Sequence, residues 1–308
     1  MASISRLTPT TGVCAARADG GPAAAASIGT WELIRLIGEG QLSMVYQARP
    51  MGGPVDRPAL YAVKVLRPQW QDNPQGLAIM AREVHVGRRV TSPHLVPILA
   101  AELNDPPYYL AMPLLEGWTL AQRLEVQPPL DLSVAFWVGR QVAEALDALY
   151  QVGWMHADVK PSNIFVAPAG HVTLIDLGFA RAVDESISVA DRPVVGTLNY
   201  AAPEILYSAL AGDIRSDVYS LGVTLFEMLT GHLPFDAQDV AELAAQHRQE
   251  TPADLRGLVP HLPTRAARLI HRMLAKEPLR RPLPRDVIDR LAVLEIETFT
   301  ERCWGDAA

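Results

Sequence analysis

Three polar residues in one short stretch carry side chains that phosphoryl transfer requires. Asp158, Lys160 and Asn163 lie within the run 156–163. A carboxylate can orient and deprotonate an attacking hydroxyl, an ammonium can offset charge on the moving phosphoryl group, and an amide oxygen can bind Mg²⁺. The spacing therefore predicts a catalytic loop for phosphoryl transfer, and it is shared by enzymes that phosphorylate small molecules.

Two upstream segments could hold a nucleotide against this loop. Gly38 and Gly40 lie between two predicted strands, and glycine lets backbone N–H groups approach phosphate oxygens closely. A plain hairpin turn would also explain these glycines. Lys64 interrupts the apolar strand 60–66, and a buried ammonium needs a partner. Glu83, the first acidic residue of the helix that follows, is the candidate partner.

A second acidic position follows a predicted strand further along the chain. Asp176 comes directly after the apolar stretch 172–175 and begins the triplet Asp176-Leu177-Gly178. Carboxylate and amide oxygens are the ligands that Mg²⁺ prefers, so Asp176 and Asn163 are candidate metal ligands. An isolated Asp-x-Gly string is more often a turn, and only its place in the chain favours a metal site.

The order of these motifs resembles that of eukaryotic-type (Hanks-type) serine/threonine protein kinases, in particular the bacterial branch. The resemblance covers about residues 30–295 and includes the run Ala202-Pro203-Glu204, Asp217 and Arg281. It implies that Arg281 pairs with Glu204 and that Asp217 holds the backbone of the catalytic loop. As a bare helix N-cap, Asp217 would be unremarkable.

The resemblance implies a two-lobed protein kinase fold of the α+β class. The N-lobe would be a small antiparallel sheet with one main helix, and the C-lobe would be larger and mostly helical. The short apolar stretches 95–99 and 108–112 predict two strands of that sheet. The implied boundaries are N-lobe 29–112, hinge 113–117 and C-lobe 118–296. Outside this kinase domain, 29–296, we expect a disordered N-terminal tail at 1–28 and a C-terminal tail at 297–308.

The implied activity is transfer of the ATP γ-phosphoryl group to Ser or Thr hydroxyls of protein substrates, including autophosphorylation, with Mg²⁺ or Mn²⁺. The implied catalytic residues are Asp158, Lys160, Lys64 and Glu83. Asn163 and Asp176 would hold the metal. The implied ATP-binding residues are Ile37, Gly38, Glu39, Gly40, Val45, Ala62, Lys64, Met112, Pro113, Leu115 and Phe165. The activation segment would carry Ser186, Ser188 and Thr197, and the implied structural residues are Glu204, Asp217 and Arg281.

Composition limits the class of protein and its partners. Of the 308 residues, 49% are hydrophobic and 20% charged, which is the globular range. The formal net charge of −7 argues against a nucleic-acid partner. Cys14 and Cys303 are the two cysteines and lie near the ends, so we expect no disulfide framework and a reducing, cytoplasmic location. No apolar run reaches the ~18 residues of a membrane span.

Two positions depart from the family pattern. Ala157 stands where the family usually has an Arg that grips a phosphorylated activation segment, so this is a non-RD sequence. We therefore expect that catalysis does not depend strictly on phosphates at Ser186 and Ser188. Gly87 lies four residues after Glu83, and Gly weakens a helix by about 1 kcal/mol relative to Ala. That predicts a mobile helix, locked by a homodimer or an activating partner.

Two other functions are compatible with parts of the pattern. A pseudokinase scaffold would bind nucleotide without turnover, but such proteins usually lack a counterpart of Lys64, Asp158 or Asp176. A small-molecule phosphotransferase would share the spacing of Asp158 and Asn163. It would lack the Ala-Pro-Glu run that ends at Glu204.

Overall fold

The computed structural model describes residues 27–52, 58–183, 185, 198–207, 212–237 and 239–305. The expected tail up to residue 26 lies outside the described residues, as do Ser186, Ser188 and Thr197.

A six-stranded antiparallel sheet forms the first lobe, with strand order β1-β2-β3-β4-β6-β5. One sheet face buries a cluster that includes Trp31, Val63 and Ala111. Alternation along each strand directs the neighbouring side chains to the opposite face. The strands are β1 (Ser27–Ile28), β2 (Trp31–Glu39), β3 (Ser43–Pro50), β4 (Tyr61–Leu66), β5 (Ala100–Glu102) and β6 (Tyr109–Pro113).

Two helices connect β4 to β5, the short α1 (Pro68–Gln71) and the main helix α2 (Pro74–Arg89). Asn73 caps α2 by accepting a hydrogen bond from the Gln75 N–H, and Pro74 suits the first turn, where its missing N–H needs no partner. Met80 and Val84 of α2 pack under the sheet. Val86 and Val90 instead join the core of the second lobe, so α2 links the two hydrophobic cores.

The second lobe is mostly helical and is built around α6, of which 14 of 17 residues are buried. A helix that is apolar on all sides must lie inside its lobe. Asp213 caps its start, and Gly231 ends it in the left-handed conformation at φ 76°. The helices of this lobe are α3 (Leu120–Val126), α4 (Leu132–Gln151), α5 (Pro203–Tyr207), α6 (Ile214–Thr230), α7 (Val240–Gln249), α8 (Leu255–Leu258), α9 (Thr264–Met273) and α10 (Pro284–Gly305).

Five short strands line the boundary between the lobes. They form a three-stranded sheet, β10-β9-β7, and a two-stranded ribbon, β11-β8. The stretch 156–163 connects the ribbon to the three-stranded sheet, so the predicted catalytic loop lies between two small sheets. The strands are β7 (Trp118–Thr119), β8 (Trp154–Met155), β9 (Ile164–Val166), β10 (Val172–Leu174) and β11 (Arg181–Ala182).

The predicted two-lobed α+β architecture is confirmed, and three local expectations need correction. A strand expected at 95–99 instead lies at Ala100–Glu102, because Pro97 cannot donate to a ladder. The described residues begin at Ser27, where β1 pairs with β2 inside the range expected for the N-terminal tail. At the other end α10 continues past residue 296 to Gly305. None of the helices described combines the length and apolar character that crossing a bilayer requires.

Candidate active site

The catalytic-loop cluster consists of Asp158, Lys160 and Asn163. The Asn163 Nδ2 donates to the Asp158 carbonyl and to its Oδ2, both at 2.8 Å. The Lys160 Nζ lies 2.9 Å from the same Oδ2. No donor in the described ranges contacts the other carboxylate oxygen, Asp158 Oδ1. One face of Asp158 is therefore fixed, and the other remains open to an incoming hydroxyl.

Asp217 fixes the backbone at the start of the catalytic loop. Its carboxylate is buried and accepts the backbone N–H groups of His156 at 2.6 Å and Ala157 at 2.8 Å. Burial raises the pKa of Asp217 to about 7, against the lowering effect of the two N–H donors. Ala157 has a φ of 63°, a left-handed conformation that L-residues rarely adopt, and the Asp217 bond offsets part of that cost. The helix cap is Asp213, so Asp217 is not an N-cap.

His156 connects the loop to the strand that leads into Asp176. Its Nε2 lies 3.1 Å from the Ile175 carbonyl, and its Nδ1 lies 3.3 Å from the Asp158 N–H. One ring nitrogen thus donates and the other accepts, which describes a neutral imidazole. Burial lowers the pKa of His156 and favours that neutral form.

The Lys64 cluster consists of Lys64, Glu83 and Asp176. The Lys64 Nζ, on β4, lies 2.7 Å from Glu83 on α2 and 3.0 Å from Asp176. Burial alone would lower the pKa of Lys64, but the two carboxylates outweigh it and the pKa is raised. Burial raises the pKa of Glu83, with Lys64 opposing it. Although burial acts against it, Lys64 lowers the pKa of Asp176. The cluster is thus an ammonium held between two carboxyl groups.

The turn between β2 and β3 is closed by its own backbone and by a basic side chain. The Gly40 N–H donates to the Ser43 carbonyl at 2.8 Å, and the Arg67 Nε donates to the Gly40 carbonyl at 2.8 Å. Neither Gly38 nor Gly40 has a positive φ, and a Cβ there would contact nothing closer than 3.5 Å. The fold itself therefore has room for a Cβ at both positions. A ligand close to the backbone is the remaining reason for glycine.

The two clusters and this turn line one open cavity. The predicted site residues that line it are Glu39, Gly40, Lys64, Glu83, Asp158, Lys160, Asn163 and Asp176. The cavity thus contains the charged part of the predicted site. The predicted ATP-binding residues outside its lining are Ile37, Gly38, Val45, Ala62, Met112, Pro113, Leu115 and Phe165.

Strand register nevertheless places three of the apolar residues on the same sheet face as Lys64. Val45 is the cross-strand partner of Lys64, and Ala62 precedes Lys64 by two residues on β4. Met112 is the cross-strand partner of Ala62. Because paired residues and residues two apart share a face, these side chains form an apolar continuation of the Lys64 face. Phe165 is half-buried on β9.

The backbone after β6 offers hydrogen-bonding groups at the edge of this apolar face. The Leu114 N–H donates to the Leu60 carbonyl at 2.9 Å, which makes the adjoining pair, Tyr61 and Pro113, a non-hydrogen-bonded pair. The Pro113 carbonyl therefore points away from β4. Over the described ranges, no acceptor contacts the Leu115 N–H. A flat ring with one donor and one acceptor could bond to both groups.

Two oxygen ligands suit a divalent cation. The Asn163 amide nitrogen is committed to Asp158, which leaves its oxygen, Oδ1, without a described donor on the side of the cavity. Asp176 also faces the cavity, and its backbone is left-handed at φ 68°. No group of three or more His, Cys, Asp or Glu side chains able to hold a metal occurs among the described residues. The donor set therefore fits a hard cation that also takes ligands from a phosphate.

Arg281 and Glu204 form a bidentate ion pair below the site. The two N–O distances are 2.6 and 2.8 Å, and the Arg281 side chain is fully buried. Its other three N–H groups donate to the carbonyls of Ala275, Arg215 and Lys276. All five donors are satisfied, which is what makes a buried guanidinium tolerable.

Gly87 lies at a close packing contact, which the expectation of a mobile helix did not take into account. Gly87 is buried, and a Cβ added there would lie 2.5 Å from Cγ1 of Ile98. Glycine at this position lets α2 approach the segment before β5 closely. Helix propensity alone does not reveal this packing constraint.

Comparison with known proteins assigns the chain to a family. The protein kinase domain family matches residues 31–291. The chain belongs to that family. Similar proteins include the probable serine/threonine-protein kinase CPE1738 of Clostridium perfringens, at 32% identity over 82% of this chain and 36% of the relative. The serine/threonine-protein kinases PknD of Mycobacterium tuberculosis and PrkC of Bacillus subtilis are 34% and 31% identical over 85% and 82% of the chain, covering 39% and 38% of their own lengths.

These relatives support a Hanks-type bacterial serine/threonine kinase domain. The chain spans little more than a third of the length of the curated relatives that it matches.

The structure adds three contacts that the sequence analysis missed. Arg67 binds the Gly40 carbonyl, Ser216 donates to Glu204 at 2.6 Å, and Arg82 bonds to Glu185 at 2.8 Å. A basic residue one position after the Lys64 strand is a weak local signal for the first. The other two pairs are distant in sequence, and no motif indicates them.

Proposed function

We propose that this domain transfers the γ-phosphoryl group of ATP to Ser or Thr hydroxyls of proteins. The observation that carries the proposal is the meeting of the catalytic-loop cluster and the Lys64 cluster in one cavity. The catalytic-loop cluster offers a carboxylate, an ammonium and an amide, and the Lys64 cluster offers an ammonium held by Glu83. Phosphoryl transfer depends mainly on positioning and charge stabilisation, and these are the groups that supply both.

In this proposal Asp158 orients the acceptor hydroxyl and receives its proton through Oδ1, the oxygen left open by Asn163 and Lys160. Lys160 offsets negative charge on the transferred group. Lys64, held by Glu83, binds the α- and β-phosphates under the glycine turn. The adenine ring lies on the apolar Lys64 face and bonds to the Pro113 carbonyl and the Leu115 N–H.

Asn163 and Asp176 are the proposed ligands of Mg²⁺ or Mn²⁺. When bound, the cation neutralises part of the charge on the nucleotide phosphates. The two metals are distinguished by titrating each against a fixed nucleotide concentration and following thermal stabilisation. Asn163→Asp would retain an oxygen ligand but oppose the Asp158 carboxylate, so we expect it to weaken Asp158 positioning more than metal binding.

Ser and Thr are the proposed acceptors because the similar proteins are named serine/threonine kinases and because Lys160 follows Asp158 by two residues. Autophosphorylation is part of the proposal. Ala157 supplies no cation for a phosphate on Ser186 or Ser188, so their replacement by Ala should leave the initial rate within tenfold. A hundredfold loss would contradict this independence.

Protein substrates are proposed as partners, and nucleic acid is not, given the net charge of −7. A cytoplasmic location is proposed from the cysteine content and is tested by cell fractionation. A homodimer or an activating partner stays a prediction, and the packing of Gly87 against Ile98 gives this glycine a role that requires neither. Either would still appear as a rate that rises more than linearly with protein concentration or on addition of lysate fractions.

The deciding experiment offers γ-labelled ATP and a generic basic protein substrate to the wild type and to Asp158→Asn. Label on Ser or Thr, abolished in the variant, would support the proposal. Label on a small-molecule alcohol, with none on protein, would favour a small-molecule phosphotransferase. Nucleotide-dependent stabilisation without label in any acceptor would favour a pseudokinase scaffold.

A further inference from the structure

Helix α2 presents a second stripe of residues, separate from Glu83, to the lower lobe. Ile79, Arg82 and His85 are spaced three apart and therefore lie along one side of the helix. The His85 ring contacts the Trp154 ring on β8 with centroids 5.7 Å apart. A Cβ on Gly178 would lie 2.8 Å from Ile79, so the helix and the Asp176–Gly178 triplet are in close contact. This stripe seats α2 on the β8–β11 ribbon.

Arg82 is the charged member of the stripe and binds the start of the activation segment. Its Nη2 lies 2.8 Å from the Glu185 Oε1, and its Nη1 lies 3.3 Å from Oε2 and 3.1 Å from the Ala180 carbonyl. Glu185 in turn accepts the Ala182 N–H at 3.2 Å, and its own N–H donates to the Ala182 carbonyl at 3.0 Å. The carboxylate therefore closes a turn and pairs with the helix at the same time.

The family's usual Arg at position 157 would bind a phosphate on the activation segment, and Ala157 cannot. Here the activation segment is instead held by the Glu185 carboxylate, which pairs with Arg82 and needs no phosphorylation. Glu185 follows Asp176 by nine residues and is joined to it through Ala180 and the strand β11. A displacement of Glu185 would release Arg82, and Arg82 is next to Glu83 on the helix. The position of the activation segment is thus coupled to the Lys64–Glu83 contact at 2.7 Å.

We propose that Arg82 and Glu185 are positioning residues for the proposed phosphoryl transfer, holding α2 where Glu83 meets Lys64 without a phosphate at this point. The proposal rests on the kinase function proposed above. Both side chains are about one-third exposed, 36% for Arg82 and 33% for Glu185, so solvent screens the pair in part. Its contribution should therefore be moderate and should diminish as salt is added.

The test compares Glu185→Gln with a matched control, Glu32→Gln. Glu32 forms a bidentate pair with Arg49 at 2.7 and 3.0 Å, at the end of β2 remote from the glycine turn. The side chains are partly exposed, 28% for Glu32 and 18% for Arg49, somewhat less than those of the test pair. We expect Glu185→Gln to lower kcat/KM for ATP roughly five- to twentyfold at low salt. The control should stay within twofold of the wild type. The difference should shrink at 0.5 M NaCl, because screening weakens the intact pair in the wild type.

Charge reversal and rescue separate positioning from simple loss of folding. Glu185→Lys should be more damaging than Glu185→Gln, and the double variant Arg82→Glu with Glu185→Lys should recover at least threefold of that loss. Recovery would be incomplete because the glutamate cannot donate to the Ala180 carbonyl. No recovery, or a Glu185→Gln variant equal to the wild type at low salt, would overturn the proposal.

Hydrogen exchange over residues 74–89 tests, independently of catalytic turnover, whether the pair holds α2 in place. Glu185→Gln should exchange faster than the wild type across α2, whereas Glu32→Gln should not. Unchanged exchange in Glu185→Gln would overturn the positioning proposal. An inactive wild type that still shows the exchange difference would instead contradict the proposed kinase function and leave the structural coupling supported.

Discussion

Replacing Gly87 with Ala tests whether α2 is limited by helix propensity or by packing. The added Cβ would lie 2.5 Å from Cγ1 of Ile98, whereas ordinary contacts begin near 3.4 Å. The helix or Ile98 must therefore move by about 0.9 Å. Glu83 lies one turn earlier on the same helix, so any movement of α2 acts directly on its contact with Lys64.

The two effects of the substitution have opposite signs. Ala in place of Gly favours the helix by about 1 kcal/mol. Overpacking of a buried site costs about 1–3 kcal/mol. We expect packing to prevail and the free energy of unfolding to fall by about 1 kcal/mol, which is a drop in Tm of about 2–4 °C. A displacement near 1 Å at a positioning helix should also lower kcat/KM for ATP about tenfold.

Thermal unfolding and steady-state kinetics on Gly87→Ala, Ile98→Ala and the double variant form the assay. Ile98→Ala alone leaves a cavity and should be destabilising, but it removes the atom that the new Cβ would meet. The double variant should therefore be more stable than the sum of the two single effects predicts. A Gly87→Ala protein more stable than the wild type would refute the packing argument and restore the sequence-based explanation.

Arg281, His247 and Gly40 each give a further prediction. Arg281→Lys should lower the free energy of urea unfolding by about 2–4 kcal/mol, since a lysine cannot satisfy Glu204 and three carbonyls. The control is the neighbouring Arg280, whose side chain is 77% exposed, and Arg280→Lys should stay within about 0.5 kcal/mol of the wild type. His247 is buried on α7, and burial lowers its pKa to about 4. The unfolded chain therefore binds the extra proton first, so the free energy of unfolding should fall by up to about 3 kcal/mol as the pH drops from 6.5 to 4, and His247→Asn should flatten that slope. Gly40→Ala should leave Tm unchanged and raise the Kd for nucleotide in a binding titration, and equal nucleotide binding would contradict the role given to this turn.

The chemistry-bearing residues were predictable because their types and spacing are constrained together. Lys64 was recognisable as a cation in an apolar strand that needed a partner, and Asp158 as the centre of a short polar run. The fold class followed from the order of these motifs. Glu83 was also predicted as the partner of Lys64, and the structure adds the 2.7 Å distance and a second partner, Asp176, at 3.0 Å.

What the sequence could not provide are contacts between segments with no shared pattern. Arg82 and Glu185 are 103 residues apart, and each alone resembles an ordinary surface charge. The strand expected at 95–99 was wrong because Pro97 has no N–H to donate to a ladder, and an apolar run predicts burial better than it predicts strand pairing. The packing role of Gly87 was not predictable, because helix propensity is a local quantity, whereas the contact with Ile98 depends on how distant parts of the chain pack together.

Helix α2 is restrained on two sides by close contacts at glycines. Gly87 brings it against Ile98 near the sheet, and Gly178 brings the Asp176–Gly178 triplet against Ile79. Movement toward either neighbour is therefore blocked by atoms already in contact, and the remaining freedom is a swing away from both. The Arg82–Glu185 pair opposes that swing, and it is the partly exposed contact among the three. Control of this kinase domain is accordingly expected to act where the activation segment leaves β11, and less through the packed interior of the helix.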